Sequence, residues 1–343
     1  MAKTIKIRNK TIGPGHPTLI IAETACSHNG SFEEAKQMID ASVEAKADMI
    51  HFILFSTEKS MCPKHPDYEF CQSLELNQEQ WAELINYTRT KDILIAATVE
   101  DELSLKLASQ LPIDILKIHS TDNTNPEFIR AAAKQNKPMM LSVGAMTFEE
   151  IERAIEIIKK EGVEDIILMY GYQNYPTKPE KTNLLLLKTL KEKFDLPVGY
   201  ADHTDGSTQL AIYLPIMTIP MGADVIDKHI TLDRSMKGAD YQAAINCADL
   251  KKFIENVRLI EKAMGDGKRK EFTEEEKEYR TKVKKSIVAA RDIKIGDCIS
   301  RKDIEYKRTN ILGLAPYEAN KIIGRSAKKD IKKFDNLSEE DLQ

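Results

Sequence analysis

Eight short apolar runs separated by helical patterns are the feature that most restricts the fold of this 343-residue chain. In order, they are TLIIAET (18–24), ADMIHFIL (47–54), ILIAATV (93–99), DILKIHS (114–120), PMMLSVG (138–144), DIILMYG (165–171), PVGYADH (197–203) and DVIDKHIT (224–231). Strands that are apolar along nearly their whole length are typical of a parallel sheet covered by helices. Eight such units within about 250 residues predict an α/β fold of the (β/α)8 TIM barrel type.

The segments between the runs carry helix signals. Ser31 followed three residues later by Glu34 predicts an N-cap with a capping box, and Thr147 with Glu150 repeats the pattern before Gly162 ends that helix. A doubly wound open sheet is the alternative fold. It would more often show a glycine-rich dinucleotide turn after the first strand, where this chain reads ETACSHNGS.

The remainder of the chain differs in composition from the eight units. We predict a barrel domain over residues 1–265, a charged linker over 266–282 and a small second domain with short strands over 283–343. Residues 281–343 hold 15 Lys and Arg against 10 Asp and Glu, so this part carries +5 and the rest −9, within a total of −4. A basic appendage on an acidic body is compatible with docking on that body, and equally with a solvated surface.

Composition excludes several classes of protein. The chain is 42% hydrophobic and 30% charged, as in soluble globular proteins, and no apolar run approaches the ~20 residues of a membrane span. The N-terminal MAKTIKIRNK lacks the apolar stretch of a signal peptide. Five scattered cysteines predict reduced thiols in a cytoplasmic protein. The charge balance gives no reason to expect a nucleic-acid partner, and no membrane partner is predicted.

Polar residues interrupt the apolar runs at their carboxyl ends, where TIM barrels carry their active sites. They are Glu23, His51, Thr98, Lys117 with Ser120, Ser142, Asp202 with His203, and His229. The sixth run continues into YQNYP, which supplies Gln173, Asn174 and Tyr175. This distribution predicts that the barrel opens into a polar mouth.

Two imidazoles end neighbouring strands of the predicted barrel, His203 on the seventh and His229 on the eighth. Such a pair suits a labile divalent ion with open positions, and it equally suits two hydrogen-bonded histidines or an acid/base group. Glu23 is a candidate general acid/base. Cys26 is interpreted as a small residue at a strand end, because the sequence places no base beside it.

A second candidate site lies on strands three to five. One cation and three hydroxyls (Lys117, Thr98, Ser120 and Ser142) are able to form an anion cradle. The alternative is a lysine that extends out of a strand end and hydroxyls that cap helices.

The motifs IAETACSHNGS, LKIHS, LSVGAM, NYPT, GYADHT and DKHITLDRSMKGADY resemble the sialic acid synthase family over nearly the whole chain. The C-terminal segment is similar to the antifreeze-like (SAF, β-clip) domain of that family. The resemblance implies condensation of phosphoenolpyruvate with the open-chain aldehyde of an N-acyl hexosamine, typically N-acetylmannosamine, with loss of phosphate by C–O cleavage. The product would be a nonulosonic acid.

The resemblance also implies roles for individual residues. His203 and His229 would hold a divalent metal, commonly Mn²⁺ with Mg²⁺ or Co²⁺ as alternatives, which polarises the aldehyde oxygen while Glu23 handles protons. Phosphoenolpyruvate would bind to His51, Thr98, Lys117, Ser120 and Ser142. The acceptor would contact Asp122, Gln173, Tyr175, Asp240 and, from the partner subunit of a domain-swapped homodimer, Arg308.

Several positions depart from the family pattern. The second strand normally ends in KFQ, whose lysine binds phosphoenolpyruvate, and here His51, Phe52 and Ile53 stand instead. His119 replaces a small residue, and Ala201 stands where a serine precedes DH. An imidazole in place of a permanent cation is compatible with compensation by His51 and His119 together, or with a pocket changed for another donor or acceptor.

Three classes of function therefore remain open from the sequence. The first is a metal-dependent nonulosonic acid synthase. The second is a synthase of the same fold with another donor or acceptor, such as those that make eight-carbon or seven-carbon keto acids. The third is a non-catalytic sugar-binding relative. The last is disfavoured because Glu23, Lys117, both histidines, Asp240 and Arg308 are all present.

Overall fold

The eight apolar runs form eight parallel strands that close into a barrel, which confirms the predicted TIM fold. The structure is a computed structural model that describes residues 3–268 and 271–343. Each strand pairs with the next along the chain, and the last pairs with both its predecessor and the first. The chain divides into two compact units, Met1–Gly265 and Asp266–Gln343, and each is described by itself.

The barrel strands lie close to the predicted runs. An N-terminal hairpin of β1 (Ile5–Ile7) and β2 (Lys10–Ile12) precedes them, and the two-residue strand β11 (Ile245–Asn246) pairs with the last one. The barrel strands are β3 (Leu19–Glu23), β4 (Met49–Leu54), β5 (Leu94–Val99), β6 (Ile115–Ile118), β7 (Met139–Ser142), β8 (Ile166–Tyr170), β9 (Val198–Asp202) and β10 (Val225–Thr231).

Ten helices among the described residues of this unit connect and cover the strands. They are α1 (Phe32–Glu44), α2 (Thr57–Ser60), α3 (Tyr68–Leu74), α4 (Gln78–Arg89), α5 (Glu102–Gln110), α6 (Pro126–Ala133), α7 (Phe148–Lys160), α8 (Leu186–Phe194), α9 (Leu210–Thr218) and α10 (Cys247–Met264). The capping box of Thr147 and Glu150 is formed as predicted. Ser31 caps α1, but the Glu34 carboxylate accepts from the Asn29 amide instead of closing a box.

Side chains of the barrel strands alternate between two apolar clusters, because successive residues of a strand point to opposite faces. One cluster fills the barrel interior, and the other lies between the barrel and the helices. Ile5, Ile7 and Ile12 of the N-terminal hairpin belong to the interior cluster. This hairpin was not predicted, since its two strands are only three residues long.

The second unit has its own small core. The helix α11 (Glu274–Val283) precedes β12 (Lys285–Ala289), which pairs with β13 (Ile304–Arg308) in antiparallel register. Most of α11 lies within the stretch predicted as a linker, and Thr273 with Glu276 forms a capping box at its start. No helix within residues 3–268 and 271–343 has the length and apolar character needed to cross a membrane.

His28, in the loop after β3, generates a prediction about stability and pH. Its side chain is fully buried, it packs edge-on against Trp81 at 5.6 Å between ring centroids, and burial lowers its pKa to about 4. Since the ordinary value is ~6.5, the unfolded chain takes up this proton first as pH falls. The stabilising contribution is therefore complete above pH ~6.5 and is lost progressively towards pH 4.

His28→Gln retains an acceptor for the Gly30 amide but cannot titrate. We expect the free energy of unfolding of the variant, measured with urea, to fall less than that of the wild type between pH 7 and 4, by roughly 3 kcal/mol. Equal slopes for the two proteins would contradict the buried neutral state of His28.

Candidate active site

The alternation of β10 explains why three ionisable residues follow one another at its end. Val225 belongs to the interior cluster, whereas Ile226 and Ile230 belong to the cluster beneath the helices. Asp227 and His229 therefore point into the barrel, and Lys228 points away from it. The strand contributes two ionisable groups to the polar mouth and one to the outer layer.

Four inward-facing ionisable side chains form a buried cluster, which we call the charge cluster: Glu23, His51, Lys117 and Asp227. The Lys117 ammonium lies 2.9 Å from Asp227 Oδ2 and 3.4 Å from Glu23 Oε2. His51 Nδ1 lies 3.3 Å from Glu23 Oε2 and 3.4 Å from Asp227 Oδ2. All four residues are at most 5% exposed. Two acids and two bases thus face one another with little exposure to solvent.

The electrostatics of the charge cluster favour ionised groups at three of its positions. Burial opposes ionisation of Glu23, but Lys117 and His51 outweigh it and hold the pKa of this carboxyl well below its usual range. Burial on its own would lower the pKa of His51 and of Lys117, yet the two carboxylates prevail and raise both. Burial, together with the charge of Glu23, raises the pKa of Asp227.

His51 is held on both sides. Its Nε2 is 2.8 Å from Thr98 Oγ1, and its Nδ1 faces the two carboxylates. Compensation by His51 and His119 together was one of the two alternatives that the sequence left open, but His119 Nδ1 lies 3.3 Å from Glu100 Oε1 at the rim. His51 therefore carries any cationic function at this position without His119.

The two strand-end histidines converge as predicted. The ring centroids of His203 and His229 are 5.1 Å apart at an interplanar angle of 84°, and Tyr175 lies against His203 at 4.5 Å. His229 Nε2 is 3.6 Å from Glu23 Oε2, which connects the pair to the charge cluster.

The donor set around these rings fits a divalent metal. His203 Nδ1 donates to the Tyr172 carbonyl oxygen at 2.8 Å, so the neutral ring presents its Nε2 lone pair, an arrangement common in metal-binding histidines. Burial lowers the pKa of His203, and it lowers the pKa of His229 to about 3, so both rings stay neutral. Two neutral imidazoles beside the ionised Glu23 leave coordination positions open, as catalytic metal sites require.

A second group of metal-ligand atoms, from Glu23, His51 and Asp227, lies within 4.8 Å of one another. The ammonium of Lys117 already occupies this space, at 2.9 Å from Asp227. A divalent ion there would face the lysine charge at close range.

The other predicted residues occupy the mouth to different extents. Ser142 ends β7 and is 4% exposed, and Thr98 and Lys117 are register partners on β5 and β6. Ser120 follows β6 in a turn. Gln173 donates weakly to the Gly171 carbonyl, at 3.4 Å.

Asp240 and Arg308 belong to different parts of the chain. Burial, with a smaller effect of Glu23, raises the pKa of Asp240 to about 6. Its loop is fixed by Ser27, whose hydroxyl donates to the Ala239 carbonyl, and by Asn29, which accepts from the Ala239 amide. Arg308 lies at the exposed end of β13 in the second unit.

The rim of the mouth contains acidic groups besides Asp122, which the sequence analysis had already assigned to the acceptor. A cavity of about 670 Å³ beyond β5 and β6 is lined by Glu100 and Asp122 together with Asp101, Glu102 and Glu127. Among the described residues, Lys59 is the one basic side chain in this lining. The acidic stretch EDE (100–102), directly after β5, carried this signal, and the sequence analysis assigned it no role.

The structure places Asp227 and Asp202 differently from the sequence analysis. Asp227 had no assigned role, although its position two residues before His229 places it on the same face of β10. Asp202 was counted with the mouth, but its side chain is fully buried and pairs with Lys228, which points away from the interior. Period-two alternation predicts both placements.

Lys117→Met tests the charge cluster, because it leaves two buried carboxylates with His51 alone as their basic partner. We expect the free energy of unfolding at pH 7 to fall by about 3–5 kcal/mol. Since the remaining carboxyls would take up a proton more readily in the folded state, part of this loss should be recovered as pH falls towards 5. Urea unfolding at both pH values measures the effect.

Lys137→Met is the matched control, since among the described residues Lys137 donates only to the Ile113 carbonyl, and it precedes β7 at the opposite end of the barrel. It should destabilise less, and without recovery at low pH. A Lys117 variant as stable as the control would refute the interdependence of the cluster.

Comparison with known proteins places this site in a family. Residues 38–269 match the NeuB family, and residues 284–343 match the SAF domain. The N,N'-diacetyllegionaminic acid synthase of Campylobacter jejuni is 33% identical over 94% of this chain and 99% of its own length. The human N-acetylneuraminate-9-phosphate synthase is 28% identical over 96% of this chain and 94% of its own.

A crystal structure of N-acetylneuraminic acid (sialic acid) synthetase from Leptospira borgpetersenii, in complex with citrate, superimposes with a TM-score of 0.75. It is 32% identical and covers 82% of this chain and 98% of its own. The match to more than half of the chain, with relatives that agree over nearly its whole length, shows that the chain belongs to the NeuB family, with a C-terminal SAF domain.

Proposed function

We propose that the protein condenses phosphoenolpyruvate with the open-chain aldehyde of a neutral N-acyl hexosamine to give a nonulosonic acid and phosphate. The observation that supports this most directly is the position of the Glu23 carboxylate. Within the charge cluster it is kept ionised by Lys117 and His51, and on its other side it faces the neutral imidazole of His229, which lies against that of His203. Membership of a family whose relatives are nonulosonic acid synthases supports the same reaction.

The condensation needs two proton transfers close to the same carbons. C3 of phosphoenolpyruvate attacks the aldehyde carbon, a C–C bond forms, and the aldehyde oxygen takes up a proton. Water adds at C2 and loses a proton, and the bond between C2 and the phosphate oxygen breaks to release inorganic phosphate. One proton is therefore delivered and another removed, and in this proposal the ionised Glu23 carboxylate takes part as a base.

In this proposal, one group of residues would bind the donor and another would bind the acceptor. Lys117, Thr98, Ser120, Ser142 and His51 would bind the donor. Lys117 and His51 are each paired with carboxylates, so the hydroxyls and the local balance of charge would decide the orientation of the anion. The acceptor would lie towards the outer part of the mouth, against Tyr175, Gln173, Asp122 and Asp240.

His203 and His229, with Glu23 beside them, would hold a divalent metal, Mn²⁺ in the first place and Mg²⁺ or Co²⁺ as alternatives. When bound, such an ion supplies a Lewis acid for an aldehyde oxygen. The neutral rings and the Tyr172 contact of His203 support this assignment. We further propose a domain-swapped homodimer in which Arg308 of one subunit contacts the acceptor in the partner.

The acidic rim supports a neutral acceptor. Glu100 and Asp122 line the cavity beside the mouth, and an unpaired phosphate on the sugar would be repelled by their charge. Carboxylates are good acceptors for hydroxyl and amide hydrogens, which an uncharged amino sugar supplies.

Phosphate release from phosphoenolpyruvate with Mn²⁺, across N-acyl hexosamines and their phosphates, tests the activity and the acceptor. We expect release with neutral amino sugars, and kcat/KM for a matched 6-phosphate at least tenfold lower. The double variant Glu100→Gln/Asp122→Asn should reduce this difference in kcat/KM between the neutral sugar and its 6-phosphate, because it should lower KM for the 6-phosphate. Release with tetrose or pentose phosphates and none with amino sugars would replace the proposal by a seven- or eight-carbon keto acid synthase. Release without any sugar would refute it.

The pH dependence of donor binding tests His51. Its pKa is raised by Glu23 and Asp227, so the ring is cationic at low pH and loses its charge as pH rises past its ordinary value of ~6.5. We expect affinity for phosphoenolpyruvate to fall as pH rises through this range. In His51→Lys the affinity for phosphoenolpyruvate should fall less with pH, because a lysine keeps its charge. Titration of the donor phosphate affects both proteins equally, so the difference between their profiles reports on His51. Parallel profiles for the two proteins would remove His51 from the donor site.

A further inference from the structure

A buried ion pair lies directly behind the two histidines, on the outer face of the same two strands. Lys228 on β10 and Asp202 on β9 are register partners, and the ammonium of Lys228 donates to Asp202 Oδ2. Both side chains are fully buried. We propose that this pair is a positioning device that fixes His203 and His229 relative to each other. The inference extends the proposed function without assigning either residue a catalytic role.

The connection to the histidines is short on both strands. Lys228 is adjacent to His229, and Asp202 is adjacent to His203, while the backbones of β9 and β10 are hydrogen-bonded next to each other. Because neighbouring residues of a strand point to opposite faces, the rings occupy the mouth and the ion pair occupies the layer beneath the helices. The distance between the two rings is therefore coupled to the distance between the two charges.

Asp202 also fixes the chain on the far side of His203. Its Oδ1 accepts from the Thr204 amide at 3.1 Å and from the Thr204 hydroxyl. The His203 carbonyl in turn accepts from the Thr177 amide at 2.7 Å. The residues on both sides of His203 are thus held by one carboxylate, and that carboxylate is tied to the strand that carries His229.

Stability alone does not explain a pair of charges in an apolar layer. Ile226 and Ile230 stand two residues from Lys228 on the same face of β10, and both belong to the apolar cluster beneath the helices. Burial of a lysine and a carboxylate is expensive, and replacing such a pair with uncharged side chains of similar volume is often neutral or stabilising. What such a pair can add is a directional hydrogen bond between β9 and β10, which fixes the position of one strand relative to the other.

The test removes both charges at once, in the double variant Asp202→Asn/Lys228→Met. The amide introduced on β9 keeps an acceptor oxygen for Thr204, and no unpaired charge is left. We expect the free energy of unfolding to stay within about 2 kcal/mol of the wild type. We also expect the Mn²⁺ dissociation constant, measured by electron paramagnetic resonance, to rise by roughly tenfold or more, as for supporting residues behind metal ligands.

A second readout needs no metal. In the wild type, the Nδ1 proton of His203 is buried against the Tyr172 carbonyl and should exchange slowly with solvent. In protein labelled with ¹⁵N-histidine, this proton should exchange at least tenfold faster in the double variant. A purely structural role would leave exchange unchanged in a variant of normal stability.

The matched control is an ion pair between Lys191 of α8 and Asp224, which directly precedes β10 at the opposite end of the barrel. Lys191 donates to Asp224 at 2.8 Å, and Asp224 also accepts from the Val198 amide at the start of β9. Lys191→Met/Asp224→Asn should leave Mn²⁺ affinity and His203 exchange unchanged.

If the Asp202/Lys228 double variant matches this control in both readouts, the positioning role is refuted. If the wild type binds no Mn²⁺, the metal proposed above fails, and the exchange measurement still decides the positioning role.

Discussion

The site depends on the mutual neutralisation of four ionisable groups inside the barrel. Each of Glu23, His51, Lys117 and Asp227 is costly to bury alone, and each becomes tolerable because two or more of the others lie within about 3.5 Å. The four come from β3, β4, β6 and β10, so correct registration of half the barrel is needed to assemble them. The free energy of closing the barrel therefore includes the free energy of assembling this cluster.

Alternation along the strands separates the chemistry from its support. Inward residues carry the ionisable groups of the mouth, and the outward face of the same strands carries apolar side chains, with the Asp202–Lys228 pair as an exception directly behind the histidines. The two faces are one residue apart in sequence. A change on the outer face is thus transmitted to the mouth through the rigid backbone of the strand.

Charge is distributed unevenly between the charge cluster and the rim of the mouth. His51 is held by Thr98 and two carboxylates, and the rim outside this point is acidic. The positive and negative groups of the charge cluster balance one another, and the rim is acidic. Within the described part of the barrel unit, the mouth therefore offers little surplus positive charge. Anionic groups should therefore bind only where hydroxyls, Lys117 or a bound cation meet them, which restricts how substrates orient.

The sequence by itself determined the barrel, the capping of α7, the inward positions of Glu23, His203 and His229, and the family, because these follow from local periodicity and motifs. It did not determine that His51 pairs with Thr98 instead of His119, that Asp227 completes the charge cluster, or that Asp202 leaves the mouth for Lys228. Those facts depend on which strands become neighbours and in which register, and the free energy of a buried charge depends on partners distant in sequence. Only the closed tertiary structure brings such partners within a few ångströms.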